Sequence, residues 1–257
     1  MTVRSRAQRC GGPLLAACVL LAAGLIGCGA HNPHPAGSYE RAAAYRESGK
    51  HREAVDAYTA FLRSSPADSL ADQAQFEKAL SYIAEKEYPL AAVELQILRQ
   101  EYPTSPLVEQ AVFEEARAYI LQVGRTERDI TPAYDARLRF DAFLNTYPAS
   151  PLVPEARSYL AEISDLIVRK RLDQLAVYKR LGRREAMAIT LDRLIEEETA
   201  SGLRAGVMLR RARLALDMGE PATARELCGR ITSEYPASNE ARRANDLLDD
   251  PPSASGP

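Results

Sequence analysis

The chain has 257 residues, 46% hydrophobic and 7% aromatic with no tryptophan, and its 33 basic residues oppose 35 acidic ones for a formal net charge of −2. So even a balance gives no basic footprint and argues against nucleic acid as a partner. The length allows either one large core or the thin continuous core of a repeat array, and the four cysteines (Cys10, Cys18, Cys28 and Cys228) suggest no disulfide framework.

The first nine residues carry Arg4, Arg6 and Arg9 and no acid, and an apolar run rich in Leu and Ala follows from Pro13 to Ile26. That is the layout of a signal segment, with an apolar stretch too short for a membrane span. It ends Leu25-Ile26-Gly27-Cys28, which resembles a bacterial lipobox. The resemblance implies cleavage after residues 1–27 and a covalent lipid on the Cys28 thiol, with no other cofactor. The alternative is an ordinary signal peptide with an incidental cysteine. Loss of three arginines on cleavage leaves 30 basic residues against 35 acidic ones, a net charge of −5. Gly29 rather than Asp follows the cysteine, and by resemblance to sorted lipoproteins this implies anchoring at the periplasmic face of the outer membrane, in its inner leaflet. Several acyl chains hold a protein far more firmly than one. Residues 28–38, with Pro33, Pro35 and Gly37, read as a lipidated tether. His31 and His34 lie three apart there, but no third ligand is near in sequence, so no metal site is expected.

Residues 39–248 are punctuated by a refrain. Glu101-Tyr102-Pro103-Thr104-Ser105-Pro106-Leu107 recurs as Thr146-Tyr147-Pro148-Ala149-Ser150-Pro151-Leu152 and as Glu234-Tyr235-Pro236-Ala237-Ser238. Weaker copies are Ser65-Pro66-Ala67-Asp68-Ser69-Leu70 and Thr199-Ala200-Ser201-Gly202-Leu203. Proline stops one helix, and Ser or Thr two residues later can cap the next. Five junctions predict five helical units, about 39–68, 69–105, 106–150, 151–201 and 202–238, then a capping helix at 239–248 and a disordered tail at 249–257. Small residues where helices cross and a closing proline fit tetratricopeptide units: Ala42, Tyr45, Gly49, Ala54, Tyr58 and Pro66 in the first, and Ala79, Tyr82, Ala91, Leu95 and Pro103 in the second. The predicted fold is all-α, a right-handed superhelical solenoid of five tetratricopeptide helix pairs plus the short C-terminal cap.

Two units are long. The third closes 45 residues after Pro103, and the surplus falls in a polar loop at 124–131. The fourth runs 51 residues from Pro148 to Thr199, which lengthens its first helix, at 154–181, by about four turns. Gly182 makes the turn that follows. In the fifth unit Cys228 takes the slot held by Tyr58, Leu95, Phe140 and Leu191, so it reads as a small buried hydrophobe.

No Gly-rich phosphate loop, His–Glu metal motif or nucleophile elbow is present in the sequence. Glu114-Glu115 and Glu196-Glu197-Glu198 read as solvated helix faces, so the function is sought in a surface and not in an enzyme site. Tetratricopeptide offsets point Tyr39, Phe76, Leu80, Ile83, Phe113, Arg117, Ile120 and Leu121 into the concave face, an apolar strip suited to an extended or helical peptide. A slip of one residue would instead bury several of them between helices. From Ala149 onward 17 basic residues balance 17 acidic ones, against 13 and 18 between Cys28 and Pro148. The clusters Arg169-Lys170-Arg171, Lys179-Arg180 with Arg183-Arg184, and Arg210-Arg211 with Arg213 read as polar faces of amphipathic helices or as a docking surface.

Lipobox, tether, five units and the Tyr-Pro-x-Ser refrain together resemble the BamD family of β-barrel assembly lipoproteins over nearly the whole mature chain. The most specific stretch is Asp129 to Leu194: Phe140-x-x-Phe143-Leu144, Tyr147-Pro148-x-Ser150, a long helix with Leu160, Leu166 and Tyr178, then Gly182-x-x-x-Ala186. The sequence departs from the family at the fourth junction, which lacks Tyr-Pro. The resemblance implies a non-catalytic scaffold. Its N-terminal half, with Phe76 and Phe113 in contact, would receive C-terminal segments of unfolded outer-membrane proteins. Its C-terminal half, through Arg169, Arg171, Arg183, Arg184, Arg210 and Arg211, would dock on the POTRA region of a BamA-like partner, with other assembly lipoproteins as further partners. The alternatives on the same fold are a lipoprotein scaffold for cell-envelope or division machinery and a regulatory subunit that holds a peptidoglycan enzyme.

Overall fold

The computed structural model describes residues 32–124 and 129–249. The expected signal segment, Cys28 and the residues after Asp249 lie outside the described residues. Among those described are eleven helices and no strand. They are α1 (Tyr39–Glu47), α2 (His51–Ser64), α3 (Ala71–Ala84), α4 (Tyr88–Glu101), α5 (Val108–Leu121), α6 (Thr131–Thr146), α7 (Val153–Arg180), α8 (Arg184–Glu197), α9 (Arg204–Asp217), α10 (Pro221–Glu234) and α11 (Asn239–Asp249). Each helix packs chiefly on its sequence neighbours, which is the plan of an all-α tetratricopeptide solenoid. Alanines let the helices approach closely where they cross: Ala42, Ala54, Ala74, Ala79, Ala91, Ala111, Ala116, Ala136 and Ala156 are fully buried. Three second helices also begin with a proline in their first turn (Pro89, Pro132 and Pro221), where the missing N–H is not needed.

In units one, two, four and five the two helices are joined by a tight turn that needs one left-handed residue. Gly49, Gly182 and Gly219 supply it, and in the second unit Lys86 does so at φ 63°. Between units the refrain works differently from expectation. Tyr102, Tyr147 and Tyr235 end their helices ahead of the proline with φ between −125° and −133° and ψ between 51° and 59°, outside the helical region. The serine that follows does not cap the next helix in the two strongest copies. Ser105 accepts from the N–H of Leu107 and Ser150 from that of Leu152, which closes a turn just before the helix starts. Ser201 does the same for Leu203. Only Ser238 among the junction serines caps as predicted, accepting from Ala241. The junction hydroxyls donate back into their own unit: Ser105 to Asp72, Ser150 to Glu109 and Ser201 to Asp165, at 2.5–2.6 Å. Each of these acids lies on the unit's first helix, so the refrain ties the exit of a unit to its first helix.

The long helix was predicted at 154–181 and spans Val153–Arg180. Its 28 residues reach about 42 Å at 1.5 Å each. Its two halves serve different cores. Ala156, Ile163, Leu166 and Ile167 pack with Phe113, Phe140 and Phe143 of unit three, whereas Val168 and Leu175 pack with α8, α9, α10 and α11. α7 therefore bridges an N-terminal lobe and a C-terminal lobe. Cys228 is fully buried in the second core, and burial raises its thiol pKa, as expected of a small hydrophobe in that slot.

The tether expectation needs correction at its C-terminal end. Asn32 is buried and donates to the Arg41 carbonyl, while Arg41 donates to the His34 carbonyl. Residues 32–38 thus fold back on α1, whose N-cap is Ser38.

Candidate protein-docking surfaces

The strip predicted on the first helices of units two and three loses its two phenylalanines to the interior. Phe76 and Phe113 are 5% and 2% exposed. Phe113 lies edge-on to Phe140 and Phe143 with ring centroids 5.6 Å away in each case. The slip of offset is real: these two phenylalanines hold helices together and offer no side chain to a peptide. Tyr39 is half-buried against Tyr58 and Phe61. Leu80, Ile83, Ile120 and Leu121 are half-buried and keep part of their surface open. Arg117 is tied to Glu114 at 2.5 Å.

The acidic runs are only partly solvated faces. Glu114 is buried and its carboxyl pKa is raised, by burial first, against the pull of Arg117. Glu115 is buried and bridges Arg99 at 2.6 Å and Arg139 at 3.1 Å. Arg139 in turn lies 3.6 Å over the ring of Tyr119. Glu196 and Glu197 are exposed as expected, but Glu198 is 3% exposed. It takes a two-pronged contact from Arg137 of α6, at 2.5 and 3.1 Å, and Arg137 also reaches Ser164 of α7 at 3.2 Å. This pair spans from the N-terminal lobe to the end of α8. A basic residue at helix spacing from two phenylalanines carries no mark in the sequence that its partner lies 61 positions away.

The basic clusters divide. Arg169, Arg171, Arg183, Arg184 and Arg210 are exposed. Arg184 donates to the Asp217 carbonyl and Arg171 to Gln174. Arg211 departs from the prediction: it is 6% exposed and paired with both Asp192 and Glu220, so it is a structural cation. It faces inward because its neighbours Leu209, Ala212 and Leu214 set the core stripe of α9.

Composition and spacing gave no sign of an exposed apolar patch where α6, α7 and α8 meet. Tyr134, Tyr178 and Ile189 border a cleft of about 250 Å³ there, with Arg171, Arg193 and the carboxylates of Glu197 and Glu198 also lining it. Ile189 is 57% exposed and Leu138, nearby on α6, is 67% exposed. Apolar surface of this kind beside cations suits a protein partner. Among the described residues no group of three or more His, Cys, Asp or Glu could hold a metal ion, and no helix is long and apolar enough to cross a membrane.

Comparison with known proteins agrees with this geometry. A family model described as outer membrane lipoprotein, YfiO, matches residues 32–198. A tetratricopeptide repeat model matches residues 207–238. No curated protein matches the chain.

Proposed function

The chain belongs to the YfiO family of outer membrane lipoproteins, and from that premise we propose that it is a non-catalytic scaffold of the β-barrel assembly machinery, anchored by lipid on Cys28. The observation that carries the reading is the bridging helix α7. The family match covers it entire, and its length is the irregularity that an ordinary array of equal units lacks. Around it the two lobes offer different surfaces, as a scaffold with two partners requires.

In this reading the α6–α7–α8 patch, with Tyr134, Tyr178, Ile189 and Arg171, docks a POTRA-type periplasmic domain of a BamA-like partner. Arg169, Arg183 and Arg184 lie on the same lobe and steer the encounter by charge. The half-open Leu80, Ile83 and Ile120 of the N-terminal lobe take hydrophobic segments of unfolded outer-membrane proteins. Other assembly lipoproteins would complete the complex. The folded-back residues 32–38 support close anchoring: four residue steps separate Cys28 from Asn32, at most about 14 Å of chain.

The test is titration of the purified full chain in detergent with the POTRA region of a BamA from the same organism. Binding is expected, and Tyr178→Ala with Ile189→Ala should weaken it at least about tenfold while Arg169→Ala has a smaller, salt-dependent effect. Absence of binding by the unmodified chain would sink the reading. Binding that ignores the double variant would remove the patch from it.

A further inference from the structure

We propose that a second cleft, between α7 and α9, docks an acidic amphipathic helix of a partner protein. It measures about 420 Å³ and opens between the first helices of units four and five, over α8. Leu172, Leu175, Leu191 and Leu214 form its floor, and Lys179, Arg210 and Arg213 stand on its rim against the lone carboxylate of Asp217.

The rim cations are the decisive feature. Several other first-helix cations are answered from within the chain: Arg46 by Glu77, Lys78 by Glu94, Arg117 by Glu114, and Arg211 by Asp192 and Glu220. Lys179, Arg210 and Arg213 are exposed and have no ion pair or hydrogen bond among the described residues. Three cations against one acid leave a surplus of two positive charges around an apolar floor. That is complementary to aliphatic side chains flanked by carboxylates.

The walls also select the shape of the guest. Positions 172, 175, 176 and 179 of α7 and positions 210, 213, 214 and 217 of α9 line the cleft. Both sets follow the i, i+3, i+4, i+7 spacing of one helix face, over about 10 Å. A third helix with the same spacing can set its ridge between them. An extended segment would bring unpaired backbone N–H and C=O groups to a floor of leucines, whereas a helix satisfies its own. A flat anionic bilayer could meet the rim but not the recessed floor.

The inference rests on the scaffold reading only in that the surface binds protein; the chemistry of the partner is new. Its test is fluorescence anisotropy of the full chain in detergent with a labelled helical peptide of about 18 residues, leucines at i, i+3, i+7 and glutamates beside them. A version with lysine in place of glutamate is the control. The acidic peptide is expected to bind and the lysine version not. Lys179→Glu, Arg210→Glu and Arg213→Glu together should weaken binding at least about tenfold. Ala176→Trp should do the same, since it fills the cleft from an exposed wall position without entering the core. Equal binding of the two peptides, or full affinity in both variants, overturns the proposal. So does complete displacement of the acidic peptide by phosphatidylglycerol added as mixed micelles, which would assign the rim to a lipid surface. If the peptide fails while the POTRA titration succeeds, the cleft is wrong and the scaffold stands; the opposite pattern condemns the scaffold alone.

Discussion

Lys86 sits in the left-handed region where three sister turns use glycine, and a side chain there costs about 1–2 kcal/mol. Because glycine also loosens the unfolded chain, Lys86→Gly is expected to stabilise the protein by a net ~0.5–1 kcal/mol, read as a higher urea midpoint by circular dichroism. Glu77 carries a pH signature. Its carboxyl pKa is raised above the ordinary 4.5, chiefly by burial, with Arg46 opposing. A carboxyl raised on folding binds extra protons in the folded state, so its contribution is full below 4.5 and is lost as pH rises through the folded value. Glu77→Gln should therefore flatten the decline in unfolding free energy as pH rises above 4.5; an unchanged slope would place the titration elsewhere. At this scale the sequence was a poor guide to acids. Glu196 and Glu198 differ by two positions in one run, yet one is exposed and the other buried, and the difference lies in Arg137, a residue of another unit.

At the scale of elements the helices were legible and their partnerships less so. Gly and Pro mark the turns by backbone geometry, which is local, so α7 was placed within a residue at each end. That its halves feed two cores depends on packing across units, which periodicity does not encode. Phe76 and Phe113 failed for the same reason: an apolar residue on a first helix reads alike whether it faces a groove or the next pair. Phe113→Ala is expected to cost about 3–5 kcal/mol of stability through the cavity left beside Phe140 and Phe143. A loss below about 1 kcal/mol would mean the ring is not core. Arg137 and Glu198 lock α6 to the end of α8 across α7. Removing either partner should cost about 2–4 kcal/mol, since the survivor is left largely buried, and the double removal should cost less than the sum of the two. Simple additivity in that cycle would mean the pair carries no coupling.

For the whole molecule, the refrain of Tyr-Pro-x-Ser was enough to read a solenoid, because each copy ends one helix by the chemistry of proline. What it could not convey was how the array is mounted. Residues 32–38 folded back on α1 leave little free chain after Cys28, so a lipid there would hold unit one beside the bilayer and carry the C-terminal lobe away from it. Under the proposed anchoring, the two lobes' surfaces would stand at different heights from the bilayer. Native purification of the tagged chain from detergent-solubilised membranes, with its companions identified by mass spectrometry and Cys28→Ser as the anchoring control, decides the matter. The expected result is a barrel protein bearing POTRA-type domains in near-equal amount, with the Cys28→Ser chain lost from the membrane fraction. Division proteins or peptidoglycan hydrolases in its place, with no such barrel protein, would contradict the assembly role.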